Sequence, residues 1–518
     1  MLKLKINQKK IYLLSLIFFS ISLPLSEKLL YSSLIFLVTF WLIEGKFKRK
    51  MQILSERKSI LIFLSIFLIH IIALLYTKNL NWGFYDLVYI KLPLLIFPIV
   101  IGTSPPLKKS DLTLVILTFT ITVLLTTLIN SFILFGFIKY PISNFRDISI
   151  FTHHIKLAIM INISIFSLIY LIFNKSIIRY KWFYILIVCW LILFLFFLKS
   201  LTGIIIFTAL LIITSIFFSN KVKNRYLKYF LKFYPIPIFI VFIIYIISIN
   251  NNSFKNIKKI NVKELNQKTK YGNYYYHNLN SGQIENGNYV WINVCWNELK
   301  EEWRKISNIP FNGLDYKGQE IKYTIIRYLT SKNLTKDKEG LISLKEKDIR
   351  NIENGIANHI YKNKYSLYPR IYQILWEIDC YKKGFDYSNS SLILRYISIK
   401  TTFDIIKDNL CLGLGLGDFR NKLQDQYRKN KTNLPPKKRI TPHNQLITFL
   451  AAFGILGLII ILFAFIYPII YEHKKNIFLF TIIILTFTLA FLSEDTLESF
   501  LGNSLVTFFY SIFIFGIK

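Results

Sequence analysis

Cysteine is scarce in this chain, and so are acids. Four cysteines occur in 518 residues, and 29 Asp and Glu stand against 64 Lys and Arg. No CxxC pair is present, so a zinc site has no support. Cys189 lies in an apolar run, while Cys295, Cys380 and Cys411 lie in a polar segment. Three cysteines there do not read as a disulfide framework, and whether Cys295 and Cys380 pair is left open. The glycines of "CLGLGLGDF" are not spaced as GxGxxG between a strand and a helix, which excludes a dinucleotide fingerprint. No solenoid repeat or long low-complexity tract appears. The N-terminal "MLKLKINQKK" and the run Ile11–Leu23 lack a small-residue cleavage site. A second apolar run comes at once, so this reads as a retained first helix.

What is present is apolar and basic together. The chain is 53% hydrophobic with a formal net charge of +35, and Leu, Ile and Phe come in blocks. That pairing points to a polytopic membrane protein. Basic clusters border the apolar blocks, which favours membrane lipids or lipid-linked phosphates as partners and not nucleic acid.

A helix needs about 20 apolar residues to cross a bilayer. Nine candidate spans precede the polar segment, near 11–25, 28–43, 59–76, 84–102, 111–138, 152–173, 182–198, 200–219 and 231–250. Three come after it, near 443–470, 476–493 and 498–517. With a cytoplasmic N-terminus, Lys46 to Lys58, Lys108, Lys109, Lys175, Arg179, Lys181, Lys221 to Lys232, Lys474 and Lys475 fall on the cytoplasmic side. The opposite loops carry only Lys28, Lys78, Lys139, Arg146 and Lys199. The expected fold is therefore an all-α polytopic membrane protein of about 12 transmembrane helices; in a Gram-negative cell its membrane is the bacterial inner membrane and its outer side the periplasm. A large periplasmic α+β loop domain is inserted before the last three helices. The divisions are 1–250 (N-terminal bundle), 251–442 (periplasmic loop domain) and 443–518 (C-terminal bundle).

Within the polar segment, "YGNYYYHNLNSGQIENGNYVWINVCW" alternates and is rich in Tyr, Val, Ile and Trp. Asn286–Gly287 marks a turn between strands. "NELKEEWRKIS" and "EIKYTIIRYLTS" have helical character, and 390–408 has the spacing of an amphipathic helix.

Several residues there and at the span ends have chemical potential. In "ITPHNQLITFL", Thr441 is expected to cap a helix with Pro442 at its first position and His443 in its first turn. The helix dipole there favours an anion and a neutral imidazole able to accept a proton. The bland alternative is an interfacial histidine. Arg395, in "SSLILRYISIKTTF", needs an anionic partner or must snorkel. A pyrophosphate would suit its guanidinium fork. Gly413, Gly415 and Gly417 read as a turn ending the Arg395 helix, with Asp418 capping the next segment. "DISIFTHHIKLAIM" places His153, His154 and Lys156 at a helix entrance just after Arg146, a candidate anion site. Two adjacent histidines face different ways, so a shared metal is not expected. Lys199, Ser200 and Thr202 occupy a short turn that either faces a phosphate or breaks a hairpin. Glu494, Asp495 and Glu498 are expected to pair with outer basic residues. A paired-carboxylate glycosidase arrangement or a solvated helical face are the other readings.

Taken in order, Arg395, an amphipathic helix, "GLGLGDF", about two dozen polar residues and "PHNQLITFLAAFGILGL" resemble the signature region of the O-antigen ligase and polymerase family. "SEDTLESFLGNSLVTFFY" is similar to that family's C-terminal end. "ENGNYVWINVCWNELKEEW" and "IIRYLTSKNLTKD" look like the form found in Bacteroidetes-type members. The resemblance runs from about residue 270 to the end. It implies a metal-independent, inverting membrane glycosyltransferase that needs no cofactor. Such an enzyme moves a glycan from undecaprenyl pyrophosphate to a hydroxyl on lipid A-core. On the matching positions, His443 would be the essential histidine and Arg395 the arginine before the glycine turn. Lys199, Arg146, His153, His154, Lys156 and Asn444 would serve pyrophosphate or acceptor. The family often has Ser-Arg at the outer end of a mid-chain span. Here the turn reads Ser200-Leu201, so Lys199 would substitute as a point charge. The rival readings are an O-antigen polymerase, a protein O-oligosaccharyltransferase, and a transporter of lipid-linked glycans. A transporter would want cations along a mid-membrane path, whereas most cations here lie at span ends.

Overall fold

A computed structural model describes residues 8–140, 148–173, 181–255, 257, 260–261, 264–363, 366–472 and 477–517. Arg146, Lys175, Arg179, Lys474 and Lys475 lie outside the described residues. The chain is mostly helical, with 72% helix and 3% strand. It divides into two compact units, one of residues 1–228 and 394–518, the other of residues 229–393.

The helices in chain order begin with α1 (Gln8–Leu25), α2 (Glu27–Ile43), α3 (Phe47–Glu56), α4 (Lys58–Leu74) and α5 (Leu80–Tyr85). A π-turn, Asp86–Ile90, leads into α6 (Pro93–Thr103), α7 (Lys109–Leu134), α8 (His154–Phe173), α9 (Lys181–Phe197) and α10 (Leu201–Ser219). Next come α11 (Arg225–Phe233), α12 (Pro235–Asn250), α13 (Trp296–Ile306), α14 (Ile321–Ser331), α15 (Lys338–Ile342), α16 (Glu346–Glu353) and α17 (Tyr368–Lys382). The last are α18 (Ser391–Asp408), α19 (Phe419–Lys429), α20 (Gln445–Glu472), α21 (Ile477–Ser493) and α22 (Phe500–Ile514).

Among the described residues, six helical segments are long and apolar enough to cross a membrane: Leu80–Thr103, α7, α8, α10, Arg225–Lys255 and α20. The α2–α3 pair, bent by 106°, would make a seventh. Four shorter apolar helices accompany them: α4, α9, Phe478–Ser493 and α22. This composition makes the chain a multi-pass membrane protein. The bend after α2 is made by Gly45 and Lys46, both left-handed at φ 64° and 53°.

The first unit is built around α22, all fifteen of whose residues are buried. Its apolar side chains enter one continuous core with α1, α4, α6 and α7. Two of its polar side chains bond backbone. Thr507 Oγ1 donates to Asn503 O at 2.7 Å, and Asn503 Nδ2 to Ile90 O at 2.9 Å. Small and hydroxyl residues let helices approach closely where no water is available. At the end of α20 away from His443, Arg57 clamps Glu472 through Nη2 to Oε2 (2.7 Å) and Nε to Oε1 (3.1 Å). Its Nη1 meanwhile donates to Gly102 O and Phe515 O.

The second unit has a small core of its own, with Trp303, Tyr328, Leu299 and Ile325 fully buried. The expected "NELKEEWRKIS" and "EIKYTIIRYLTS" helices are α13 and α14. Among the described residues, the expected strands reduce to isolated bridges such as Tyr276–Val294 and a two-residue antiparallel pair, β1 (Ile284–Glu285) with β2 (Asn288–Tyr289). Asn286 and Gly287, at φ 50° and 80°, make the turn between them. Glu285 is fully buried there. Its carboxylate accepts from Arg327 Nε (2.7 Å) and Asn358 Nδ2 (2.7 Å). All four cysteines are free, Cys295 and Cys380 being buried.

Candidate active site

The residues singled out before α20 all lie in the first unit, and a broken helix arranges them. Helix α20 is interrupted at Gly454, whose φ of 64° and ψ of −173° are not helical. The break frees backbone groups that cannot stay unpaired inside a membrane protein. The loop 410–415 takes them. Leu414 N donates to Ala451 O (3.0 Å), Gly415 N to Ala452 O (2.8 Å), and Ile455 N to Leu410 O (2.8 Å). Contact this close needs glycine on both sides. A Cβ on Gly413, at φ 70°, would stand 2.5 Å from Ala452 O. One on Gly454 would stand 2.2 Å from Cys411 O. The glycine turn thus does more than end α18: it docks α18 and α19 onto the break in α20.

Asp418 does not cap α19 through its side chain, as expected from sequence. Its carboxylate accepts from Lys78 N (2.7 Å) and Asn79 N (2.9 Å). Two backbone donors of another loop compete successfully for it.

The cap of α20 also differs from expectation. Asn444, not Thr441, supplies it: Oδ1 accepts from Ile447 N at 3.1 Å. Its Nδ2 donates to Leu492 O at 3.0 Å. His443 therefore precedes the helix, in the left-handed region at φ 49°. A non-glycine residue there is strained and is held by its surroundings. Its backbone N–H donates to Asp495 Oδ2 at 3.2 Å, and its Nδ1 lies 3.3 Å from Glu494 Oε2. Thr448 Oγ1 donates to Asp495 Oδ1 at 2.8 Å, and the Thr441 hydroxyl also bonds that side chain.

Arg395 meets the same loop. Its Nη1 donates to Ser493 O at 2.9 Å, and its Nη2 to Glu494 Oε2 at 3.3 Å. One carboxylate oxygen therefore faces both the guanidinium and the imidazole. Arg395 and His443 keep 29% and 26% side-chain exposure, whereas Glu494 keeps 10%, so the guanidinium and the imidazole face outward over a buried acid. Burial pushes the Glu494 carboxyl up. The His443 hydrogen bond and the charges of His443, Arg395 and His153 outweigh that and hold it below its ordinary range. Asp495 shifts the other way: burial raises it, and the hydrogen bonds from Thr441 and Thr448 only partly offset this. The acidic turn is thus neither a solvated helical face nor a free pair of carboxylates, since Glu494 and Asp495 are buried and partnered.

Of the other expected residues, Lys156 reaches the same turn region, its Nζ donating to Ser499 Oγ at 2.5 Å. His153 and His154 pack ring to ring at 4.3 Å between centroids. Lys199, at φ 50°, is mostly buried in the turn before α10, where burial pulls its amine's pKa down. Asn162 Nδ2 on α8 donates to Gly203 O at 3.0 Å and so ties that turn to the α8 end carrying His153 and Lys156.

Three residues of the site were not anticipated. Lys91 Nζ bonds Glu498 Oε1 (2.8 Å) and Leu497 O (2.8 Å). Gln445 bonds Glu498 through Nε2 (2.9 Å) and accepts from Leu497 N at 2.7 Å. Gly454 makes the helix break. Two of them carried a signal: Lys91 is an ionisable residue inside an apolar span, and Gly454 is a glycine inside an apolar helical run, which marks a break or close approach. A cavity of about 30 Å³ beside Lys91 is lined by Trp82, Asp86, Arg420 and Glu498. It has room for a water and not for a sugar ring. Among the described residues no group of three or more His, Cys, Asp or Glu is placed to hold a metal.

A multi-pass helical membrane protein with a broken helix, and an Arg–Glu–His cluster at the mouth of that helix, is the class these features define. Residues 354–462 match the family model described as O-antigen ligase, which supports an O-antigen ligase family assignment. The match carries Arg395, the glycine turn, His443 and the break at Gly454, and it supports glycan transfer of the O-antigen ligase or polymerase type. No curated protein matches the chain.

Proposed function

We propose that this protein is an O-antigen ligase. In this reading it moves a glycan from undecaprenyl pyrophosphate to a hydroxyl of lipid A-core at the periplasmic face of the inner membrane. The observation that carries the reading is the sharing of Glu494 Oε2 by His443 and Arg395. If His443 Nδ1–H donates to that carboxylate, Nε2 is left as the proton acceptor. The acid fixes the tautomer and stabilises the imidazolium once formed.

The acceptor hydroxyl gives its proton to His443 Nε2 as its oxygen attacks the anomeric carbon. The bond to the pyrophosphate oxygen breaks from the opposite face, so configuration inverts and undecaprenyl pyrophosphate leaves with the electron pair. Arg395, partly exposed beside His443, holds the departing phosphate. Lys156 and Lys199 add positive charge for the donor, His153 and His154 add ring nitrogens that can bond it, and Asn444 fixes the entry to α20. Arg146 is assigned to the donor on sequence grounds. The leaving group is already activated, so no step requires ATP or a metal.

The test is the lipopolysaccharide and lipid-carrier profile of a deletion strain complemented with wild type or His443→Ala. Ligation predicts accumulated lipid-linked polymer and core without long chains. Core bearing a single unit would instead indicate the polymerase. Unchanged lipopolysaccharide with lost protein glycosylation would indicate a protein oligosaccharyltransferase.

A further inference from the structure

Lys91 is a lysine buried to 0% exposure inside the candidate span Leu80–Thr103. An ionisable group at such a place is costly and needs partners. The chain brings it there through the π-turn Asp86–Ile90, where Lys91 N bonds Asp86 O at 2.9 Å. Its Nζ then reaches Glu498 Oε1 and Leu497 O, both at 2.8 Å, and lies 3.9 Å from Asp86 Oδ2.

The two closest partners of Lys91 Nζ lie outside its own helix. Both belong to the turn that carries Glu494 and Asp495. Glu498 Oε1 also accepts from Gln445, the first residue of α20 and the second after His443. Gln445 Oε1 closes the ring by accepting from Leu497 N. Lys91, Glu498, Gln445 and Leu497 therefore tie three segments together beside the Arg395–Glu494–His443 cluster.

We infer that Lys91 is a positioning residue: it holds the 494–498 turn in register with the start of α20, so that Glu494 meets His443 and Arg395 at once. The effect on turnover rests on the glycan-transfer reading above; the effect on the turn does not. A purely structural lysine that only neutralises Glu498 would become dispensable once Glu498 is also neutral, because removing both members of a buried pair is far milder than removing one.

The experiment uses full-length protein in nanodiscs. Wild type, K91M/E498Q and Gln445→Met are compared by melting temperature, by glycan transfer per folded molecule, and by hydrogen exchange of peptides covering 443–448 and 494–498. Positioning predicts at least tenfold slower transfer for K91M/E498Q, and faster exchange confined to those two peptides. Gln445→Met keeps the Lys91–Glu498 pair and should loosen the same peptides, so it decides the matter if K91M/E498Q does not fold. Wild-type transfer by K91M/E498Q, or unchanged exchange in Gln445→Met, would overturn the inference. If wild-type protein transfers no lipid-linked glycan, the ligase reading fails while the exchange measurements still decide the role of Lys91.

Discussion

His443 Nδ1 stands 3.3 Å from Glu494 Oε2, the oxygen that also lies 3.3 Å from Arg395 Nη2. The carboxylate is the buried member of the three and the other two are partly exposed. In the proposed mechanism Glu494 does not touch substrate; it orients the groups that do.

Glu494→Gln keeps the shape of the side chain but removes its charge. Transfer should fall about tenfold or more. This is less than the 10²–10⁴ a general base typically contributes, because His443 itself remains. Initial rates at saturating donor check this, and a wild-type rate would remove Glu494 from the site.

The acids also set a pH dependence. The folded pKa of Glu494 is depressed below its ordinary 4.5, so its ionised form contributes stability that is present above that value and lost as pH falls through the folded pKa. Asp495 is raised above 3.8 and contributes in the opposite sense. Acid unfolding of the turn should therefore lose part of its pH dependence in Glu494→Gln. Melting temperature between pH 3 and 6, roughly the ordinary carboxylate window, gives the comparison.

Glycine substitutions separate contact from conformation. Gly413→Ala drives a Cβ into the Ala452 carbonyl and should sharply lower folded yield. Gly45→Ala has a similar positive φ but nothing within 4 Å, so it should cost only about 1–2 kcal/mol of backbone strain. Fluorescence size-exclusion profiles in detergent distinguish them. Equal losses would mean that docking onto the helix break does not matter.

Cysteine labelling probes both units. Cys411 is exposed in the glycine turn, whereas Cys295 and Cys380 are buried, with burial pushing the Cys380 thiol up to about 12. A thiol at that pKa is almost wholly un-ionised at neutral pH and hence unreactive. A maleimide should modify Cys411 in native protein and reach the other two only after denaturation, as peptide mass spectrometry would show.

How much of this was legible in the sequence differs by residue. Arg395, the three glycines and His443 stood out because an arginine in an apolar stretch, repeated glycines and a histidine before an apolar run are each locally unusual. The acidic turn was visible as a set of charges that needed partners. Which acid meets which base was not, since Arg395 and Glu494 are 99 residues apart in sequence. Lys91 was visible as an ionisable residue inside an apolar span, but its partners were not: they are about 400 residues away, and local pattern says nothing about such contacts. The cap of α20 lies three residues beyond the expected one, because Thr441 and Asn444 are both competent caps. The choice is made by Asp495, which engages Thr441 and the His443 backbone. Spans were harder to delimit, since the breaks at Gly454 and Asp86–Ile90 and the bend after α2 lie inside or beside long hydrophobic runs.

The most direct measurement is transfer by purified protein, with an undecaprenyl-pyrophosphate-linked glycan as donor, lipid A-core as acceptor and EDTA present. Wild type is predicted to form glycan-bearing lipid A-core and release undecaprenyl pyrophosphate. His443→Ala, folded and inserted alike, is predicted to fall at least about 100-fold, the lower end of what a general base contributes. Undiminished transfer by His443→Ala would contradict the account.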